Sequence, residues 1–148
     1  MKYIKMIIGI DIGISSTKVV AFVGKKLNKA EIWETGFSEN LLRDFISSLY
    51  TVDKRVEKIA VTGVGSKQIS GKLLGYLTVK VDEFEANAAS ASYICNESRF
   101  IVVSMGSGTS FVEVNNERAK HIGGSALGGG TILGLFKQMS LGGGWPQI

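Results

Sequence analysis

The chain has 148 residues, of which 45% are hydrophobic, and its formal net charge is +4. This composition is sufficient for a buried core in one domain or in two small ones. The basic residues are scattered and no basic run is interleaved with aromatic residues, so the sequence predicts no nucleic-acid partner. No apolar run approaches a membrane span, and the single Cys95 excludes an intramolecular disulfide. We therefore expect a cytoplasmic protein without a membrane partner.

The hydrophobic pattern of the first part of the chain predicts three strands and then alternating helices and strands. The predicted elements are strands at residues 5–12, 17–23 and 30–37, a helix after Ser38, a strand at 56–62, a helix at 66–74, a strand at 79–81 and a helix at 82–94. Residues 25–28 are predicted to link the second and third strands. Ser38 has the residue type of a helix N-cap, and the apolar residues after it follow a helical stripe.

The same order of elements then begins again. The second part predicts a hairpin of strands at 99–105 and 109–115, a short strand at 119–122 and a helix at 128–139. We therefore predict a complete N-terminal lobe at residues 1–97, a partial second lobe at 98–141 and a tail at 142–148. The tail contains the only proline and has no periodicity.

The two predicted hairpins repeat one design, an apolar strand that enters a turn of glycine and small hydroxyl residues. Aligned without a gap, the equivalent residues are Asp11 and Ser104, Gly13 and Gly106, Ser16 and Thr109, and Thr17 and Ser110. Such turns present backbone N–H groups and hydroxyls on one side, which suits anionic oxygens. Two of them predict a nucleotide held from both sides, with the turns facing each other across a cleft.

These motifs resemble those of the sugar kinase, heat-shock protein and actin superfamily of two-lobed ATP-binding proteins. Residues 11–18 are similar to its first phosphate motif and residues 105–110 to its second. The glycine block at 122–135 narrows the resemblance to the type II, Fumble-type pantothenate kinases, and the similarity extends over about residues 5–140. The resemblance implies an α/β fold: an actin-like ATPase, ribonuclease H-like lobe of βββαβαβα order, followed by the beginning of a second.

The resemblance also implies an activity. It is the ATP-dependent phosphorylation of pantothenate to phosphopantothenate, the first step of coenzyme A biosynthesis. The implied cofactors are ATP and Mg²⁺, the implied partner is the small-molecule substrate pantothenate, and the full-length protein is expected to be a homodimer.

Site residues follow from the resemblance. Glu83, at the opening of a helix, is assigned as the catalytic base, because a helix N-terminus keeps a carboxylate ionised. Asp11, at the end of a buried strand, is assigned to Mg²⁺, usually through water. The residues assigned to the nucleotide phosphates are Gly13, Ser15, Ser16, Thr17, Lys18, Gly106, Ser107, Gly108, Thr109, Gly128, Gly129 and Gly130. Those assigned to the substrate are His121, Gly123 and Gly124.

Each assignment has a structural alternative. Asp11 could accept backbone hydrogen bonds that shape its turn, and Lys18 could be a strand lysine in solvent. Asp82, Glu83 and Glu85 could serve only to complement the helix dipole. The glycine run before the last helix could provide close packing of strand and helix, which is compatible with phosphate binding.

His121 is the clearest departure from the family pattern, which often has arginine at this position. Histidine is only partly charged at neutral pH and is a weaker partner for an anion. This puts the substrate in question more than the nucleotide. Lys120 or Arg118 could replace the arginine, although strand alternation places Lys120 on the opposite face from His121.

Two other functions compete with this one. The first is another kinase or an ATPase activator of the same superfamily, such as those that reactivate dehydratases, but the turn at 104–108 and the solitary Cys95 argue against an activator. The second is a non-catalytic truncated fragment. The sequence ends before the strands expected to complete the second lobe, so we expect the 148-residue chain alone to be inactive as a kinase and to bind nucleotide weakly.

Overall fold

A computed structural model describes residues 3–50, 54–95, 97–116 and 118–139. The predicted tail at 142–148 lies outside these residues. The chain forms two compact units, the first ending at Glu83 and the second beginning at Phe84. The predicted lobe boundary after residue 97 stays a prediction. Within the described residues, no helix has the length and apolar character needed to cross a membrane.

The first unit is a five-stranded sheet with one covering helix. Its elements are β1 (Ile4–Ile12), β2 (Thr17–Val23), β3 (Lys26–Trp33), α1 (Glu39–Leu49), β4 (Lys54–Thr62), a 3₁₀ helix (Val64–Gln68) and β5 (Leu77–Lys80). The strand order is β3-β2-β1-β4-β5. β1 pairs antiparallel with β2 and parallel with β4, and β4 pairs parallel with β5. The central strand β1 therefore organises the unit.

The core of this unit lies between one face of the sheet and α1. Alternate residues of β1 are buried, including Ile8 and Ile10, and α1 presents its apolar stripe to them. The buried residues of that stripe are Leu42, Phe45, Ile46 and Leu49. Burying one such side chain stabilises the fold by about 1.5–3 kcal/mol, so the sheet and helix depend on each other.

The second unit is a three-stranded antiparallel sheet with two helices. Its elements are α2 (Glu83–Ile94), whose first residue closes the first unit, β6 (Arg99–Met105), β7 (Thr109–Asn115), β8 (Arg118–Ser125) and α3 (Gly129–Met139). The strand order is β6-β7-β8. Ala88 of α2 is buried in one cluster with Val112 and Val114 of β7. The helix predicted to end the first lobe therefore packs on the second sheet.

Two predicted elements of the first unit were wrong in extent or type. The third strand begins at Lys26 rather than residue 30 and ends at Trp33, because Gly24, at φ +60°, makes the turn earlier. The predicted helix at 66–74 is only the 3₁₀ helix at Val64–Gln68, because Gly71, Leu74 and Gly75 have left-handed backbone conformations that end a helix.

Smaller differences concern helix and strand ends. Ser38 is the N-cap of α1, as predicted, but its side chain makes no capping hydrogen bond. β8 extends to Ser125, three residues beyond the predicted end at 122, since the backbone of Gly123 and Gly124 continues to pair with β7. The second hairpin has the predicted bounds.

A pair of tyrosines connects the end of α1 to the approach to β5. The hydroxyls of Tyr50 and Tyr76 share a hydrogen bond. This bond, together with partial removal from water, raises the pKa of Tyr76 to about 12. Because the pKa of Tyr76 is higher in the folded state, its contribution to stability is complete below about pH 10, the unfolded value, and is lost as pH rises towards 12.

We predict that Tyr50→Phe lowers the pKa of Tyr76 towards its ordinary value and makes thermal stability less sensitive to pH between about 10 and 12. Ultraviolet titration of tyrosinate and melting temperatures across this range measure both effects. Tyr3→Phe is the control, since it keeps a ring over Arg55 and removes a hydroxyl outside the pair. An unchanged Tyr76 titration in Tyr50→Phe would contradict the prediction.

Candidate functional site

The carboxylates assigned to the site from the sequence lie at the carboxyl edge of the first sheet. Since β1, β4 and β5 run parallel, their carboxyl ends lie at one edge. Asp11 is the penultimate residue of β1, and Thr62 ends β4. Glu83 follows β5 and begins α2, where it is exposed. Topology thus places Asp11 and Glu83, assigned separately from the sequence, at the same edge.

Asp11 and Lys18 form an ion pair across the first hairpin. They are register partners of β1 and β2, and Lys18 Nζ lies 3.2 Å from Asp11 Oδ2. Their side chains are 39% and 50% exposed, so the pair contributes little to stability. Lys18 therefore lies on Asp11 instead of extending freely into solvent, and both groups are accessible to a ligand.

The first turn, residues 13–16, is closed by its own backbone. The Gly13 N–H donates to the Ser16 carbonyl at 3.0 Å. A side chain at Gly13 would approach that carbonyl to 2.9 Å, so glycine is needed for this closure. Ser15 is exposed, whereas Thr17 is fully buried on the core face. Of the predicted phosphate ligands here, Thr17 can therefore offer only its backbone.

A second turn, after β4, supports Asp11 from the other side. Gly63 has φ +82° and ψ 169°, a conformation almost restricted to glycine. A Cβ at Gly63 would lie 2.5 Å from Asp11 Oδ1, and a Cβ at Gly65 would collide with the side chain of Ile12. These two glycines were not among the residues predicted from the sequence to form the site. Two glycines directly after a strand parallel to β1 are the signal that could have identified them.

We predict that Gly63→Ala destabilises the protein more than Gly71→Ala. Both positions have positive φ, but a Cβ at Gly71 meets nothing within 4 Å. Backbone strain alone should cost Gly71→Ala about 1–2 kcal/mol. The collision with Asp11 Oδ1 and with the Ile12 backbone, whose carbonyl oxygen would lie 2.6 Å from the new Cβ, should add about 1–3 kcal/mol for Gly63→Ala. Urea unfolding of the two variants gives the comparison, and equal losses would show that the end of β1 is not packed tightly against Gly63.

The second turn motif, residues 106–108, is packed against the start of α3. The Gly106 N–H donates to the Gly108 carbonyl at 2.8 Å, and the Gly129 N–H donates to the Gly106 carbonyl at 2.8 Å. A Cβ at Gly128 would lie 2.8 Å from the Gly106 oxygen, and one at Gly130 would lie 3.2 Å from the Ser107 oxygen. Close packing is therefore one role of this glycine run.

Several groups assigned to phosphate have partners within the second unit. The Gly129 N–H is used by the turn, and the Gly128 N–H donates to Thr131 Oγ1 at 3.3 Å. The Thr109 hydroxyl donates to the Leu127 carbonyl at 2.8 Å. These bonds fix the shape of the turn, and a bound phosphate would have to use other groups of the turn or replace them.

The two hairpins are equivalent, but their alignment needs a gap. Thr17 pairs with Ile12 at the start of β2, and Thr109 pairs with Met105 at the start of β7. The first turn has four residues and the second has three. Thr17 is therefore the structural equivalent of Thr109, and the ungapped alignment of Ser16 with Thr109 was wrong by one residue.

His121 lies beside the first turn of α2. Its ring stacks on Phe84, the residue after Glu83, with centroids 4.3 Å apart and planes 17° apart. His121 pairs with Val112 and Lys120 pairs with Glu113, so the two side chains lie on opposite faces of β8, as predicted. A Cβ at Gly124 would lie 2.6 Å from the Thr109 carbonyl, while Gly123 has open space.

An open groove of about 470 Å³ lies next to the first turn. It is lined mostly by apolar side chains, with the amide of Gln68 as a polar group. Its lining residues are Ile12, Gly13, Ile14, Phe37, Val64, Gly65, Gln68 and Ile69. The glycine turns after β1 and β4 thus form both the support of Asp11 and one wall of a groove.

The donor set beside Asp11 fits a magnesium ion. Mg²⁺ prefers oxygen ligands, keeps several waters and is usually bound by one or two carboxylates together with substrate phosphates. The Asp11 carboxylate is partly exposed, and the hydroxyl of Thr62, its neighbour in β4, is buried without a hydrogen-bond partner among the described residues. Among all the residues that the structure describes, no cluster of three or more His, Cys, Asp or Glu side chains could hold a metal ion.

The architecture matches solved structures of low sequence identity. The ethanolamine utilization protein EutJ from Carboxydothermus hydrogenoformans has a TM-score of 0.61 and 14% identity over 93% of this chain and 58% of its own. The Ppx/GppA family member from Aquifex aeolicus has a TM-score of 0.60 and 12% identity over 90% and 54%. The chain has the actin-like ATPase fold, as predicted.

Among proteins of this fold, sequence comparison points to one family. Residues 99–142 match the Fumble family model. A type II pantothenate kinase from Bacillus cereus (strain G9842) is 34% identical over 139 residues, which are 90% of this chain and 49% of that kinase. The resemblance to type II pantothenate kinases is thus confirmed, and the chain spans about half the length of the curated relatives it matches.

Proposed function

We propose that the complete protein transfers a phosphoryl group from ATP to the hydroxyl of pantothenate, forming phosphopantothenate for coenzyme A synthesis. The observation that carries the proposal is the placement of Asp11, Lys18 and Glu83 at one sheet edge, in a chain similar to type II pantothenate kinases. Phosphoryl transfer needs positioning and neutralisation of charge more than covalent chemistry from the protein. This edge supplies a carboxylate for the metal, a cation and a base.

In this mechanism the substrate hydroxyl oxygen attacks the terminal phosphorus of ATP. A new oxygen–phosphorus bond forms as the bond to ADP breaks, and the hydroxyl proton passes to the Glu83 carboxylate. Lys18 exchanges its contact with Asp11 for phosphate oxygens, and the two hairpin turns contribute backbone N–H groups. A bound Mg²⁺, held by Asp11, would offset the negative charge of the phosphates.

The remaining assignments belong to the same proposal. ATP and Mg²⁺ are the proposed cofactors, and pantothenate is the proposed small-molecule partner. The homodimer, the cytoplasmic location, and the facing of the two turns across a cleft stay predictions. So do the roles in phosphate binding of Gly106, Ser107 and Gly108 and of the glycine run Gly128, Gly129 and Gly130.

A kinase of the same superfamily with a different substrate is the second candidate. The residue that favours a different substrate is His121, because it replaces the arginine that is common at this position in the family. The stack on Phe84 holds the imidazole beside the first turn of the helix that begins at Glu83. An imidazole is a weaker partner than a guanidinium for the pantothenate carboxylate, because it cannot form the paired hydrogen bonds of arginine.

We predict that Glu83→Gln in the complete protein lowers the rate of phosphorylation by about 10²–10⁴-fold, with ATP binding close to that of the wild type. The amide preserves shape but cannot accept the proton. Phosphopantothenate formation under saturating ATP and calorimetric ATP titration measure the two effects. Glu85→Gln is the control for the helix dipole, and equal activity losses in the two variants would return Glu83 to a structural role.

We predict that His121→Arg lowers the KM for pantothenate by about tenfold, because a guanidinium can pair with the carboxylate through two hydrogen bonds and an imidazole cannot. His121→Gln serves as the uncharged comparison. Identical KM values in all three proteins would exclude His121 from substrate binding.

A further inference from the structure

A buried hydroxyl next to Asp11 has no role in the proposal above. Thr62 Oγ1 is inaccessible to solvent and has no hydrogen-bond partner among the described residues. Burying a hydroxyl without a partner is unfavourable, and folded proteins retain few such groups. An unpaired hydroxyl at a functional edge therefore points to a partner that binds there.

The position of Thr62 connects it to Asp11. The two residues are register partners in the parallel pair of β1 and β4, so their side chains leave the same face of the sheet. Neighbouring strands lie about 4.8 Å apart. Asp11 Oδ1 faces the backbone that follows Thr62, because a Cβ at Gly63 would lie 2.5 Å from it. Asp11 Oδ2 is directed to Lys18 on the other side.

A second unpaired hydroxyl lies on the opposite face of the sheet from Asp11. Thr17 Oγ1 also lacks a partner in the described part of the chain, but Thr17 is fully buried on the core face with Val19 and Ala21. Asp11 lies on the opposite face, since its neighbours Ile10 and Ile12 point into the core. Only Thr62 shares a face with the carboxylate.

We propose that the Thr62 hydroxyl acts with Asp11 to position the hydrated Mg²⁺ of bound ATP. The hydroxyl would donate to the Asp11 carboxylate or accept from a water of the hydrated ion, and so it would orient the oxygens that face the ion. Thr62 is a positioning residue, because it acts through Asp11 or through water. This inference rests on the proposed function, since it requires that ATP and Mg²⁺ bind at this edge.

The test compares Thr62→Val, Thr62→Ser and the wild type in the complete protein. Mg²⁺ is titrated calorimetrically in the presence of a saturating nonhydrolysable ATP analogue. Loss of an outer-shell partner typically weakens metal affinity about 10–100-fold, which is the expectation for Thr62→Val. Thr62→Ser, which keeps the hydroxyl, should stay within about threefold of the wild type. The melting temperature of Thr62→Val should be equal or higher, because an unpaired buried hydroxyl has been removed.

Thr78→Val is the matched control for a structural role. The Thr78 hydroxyl accepts from the Leu73 N–H at 2.9 Å and donates to the Tyr76 carbonyl at 3.1 Å. Its loss should lower the melting temperature and leave Mg²⁺ affinity unchanged. Thr62→Ala carries the same expectation as Thr62→Val if the valine variant does not fold.

The outcomes separate this inference from the kinase proposal. Wild-type Mg²⁺ affinity in both Thr62→Val and Thr62→Ala, with normal nucleotide binding, would overturn the role of Thr62 and leave the proposed function intact. Absence of Mg²⁺-dependent nucleotide binding in the wild type would overturn both. Equal weakening in Thr62→Ser, which keeps the hydroxyl, and Thr62→Val, which keeps the methyl, would overturn the inference, because the hydroxyl would then not be sufficient to maintain Mg²⁺ affinity.

Discussion

The parallel pairing of β1 with β4 is the constraint on which the first unit depends. It places β1 at the centre of the sheet, lets the hairpin with β2 form on one side, and brings the end of β4 next to Asp11 on the other. The alternation of β1 then divides the strand into a face buried under α1 and a face that carries Asp11. Core and site are thus two sides of one strand.

This arrangement explains why glycine appears where it does. Asp11 is held between Lys18 and the backbone after β4, which leaves no room for a Cβ at Gly63. In the second unit, the same restriction joins the 106–108 turn to the start of α3 through Gly128. In both units a turn predicted to bind phosphate packs against a second backbone segment, and glycine permits this close approach.

Much of the fold follows from local pattern in the sequence. The bounds of the second hairpin and the helical stripe of α1 are predictable because alternation and 3.6-residue spacing are strong signals. The failures have a different origin. The segment after β4 has helix-compatible residues, but left-handed glycines end the helix, and the packing of α2 on the second sheet depends on contacts distant in sequence. Within the candidate site, the neighbouring positions of Asp11 and Lys18 follow from a hairpin motif that is visible in the sequence, whereas the positions of Thr62 and Gly63 beside Asp11 required the strand order.

The packing of the second turn on α3 also restricts how this part of the protein can vary. A hydrogen bond joins Gly129 to Gly106, and a Cβ at position 128 would lie 2.8 Å from backbone atoms of both Gly106 and Gly108. A side chain gained at position 128 cannot be accommodated by a change in a neighbouring side chain, because the obstructing atoms are backbone. Divergent copies of this unit should therefore keep glycine at this position for as long as the 106–108 turn keeps its path.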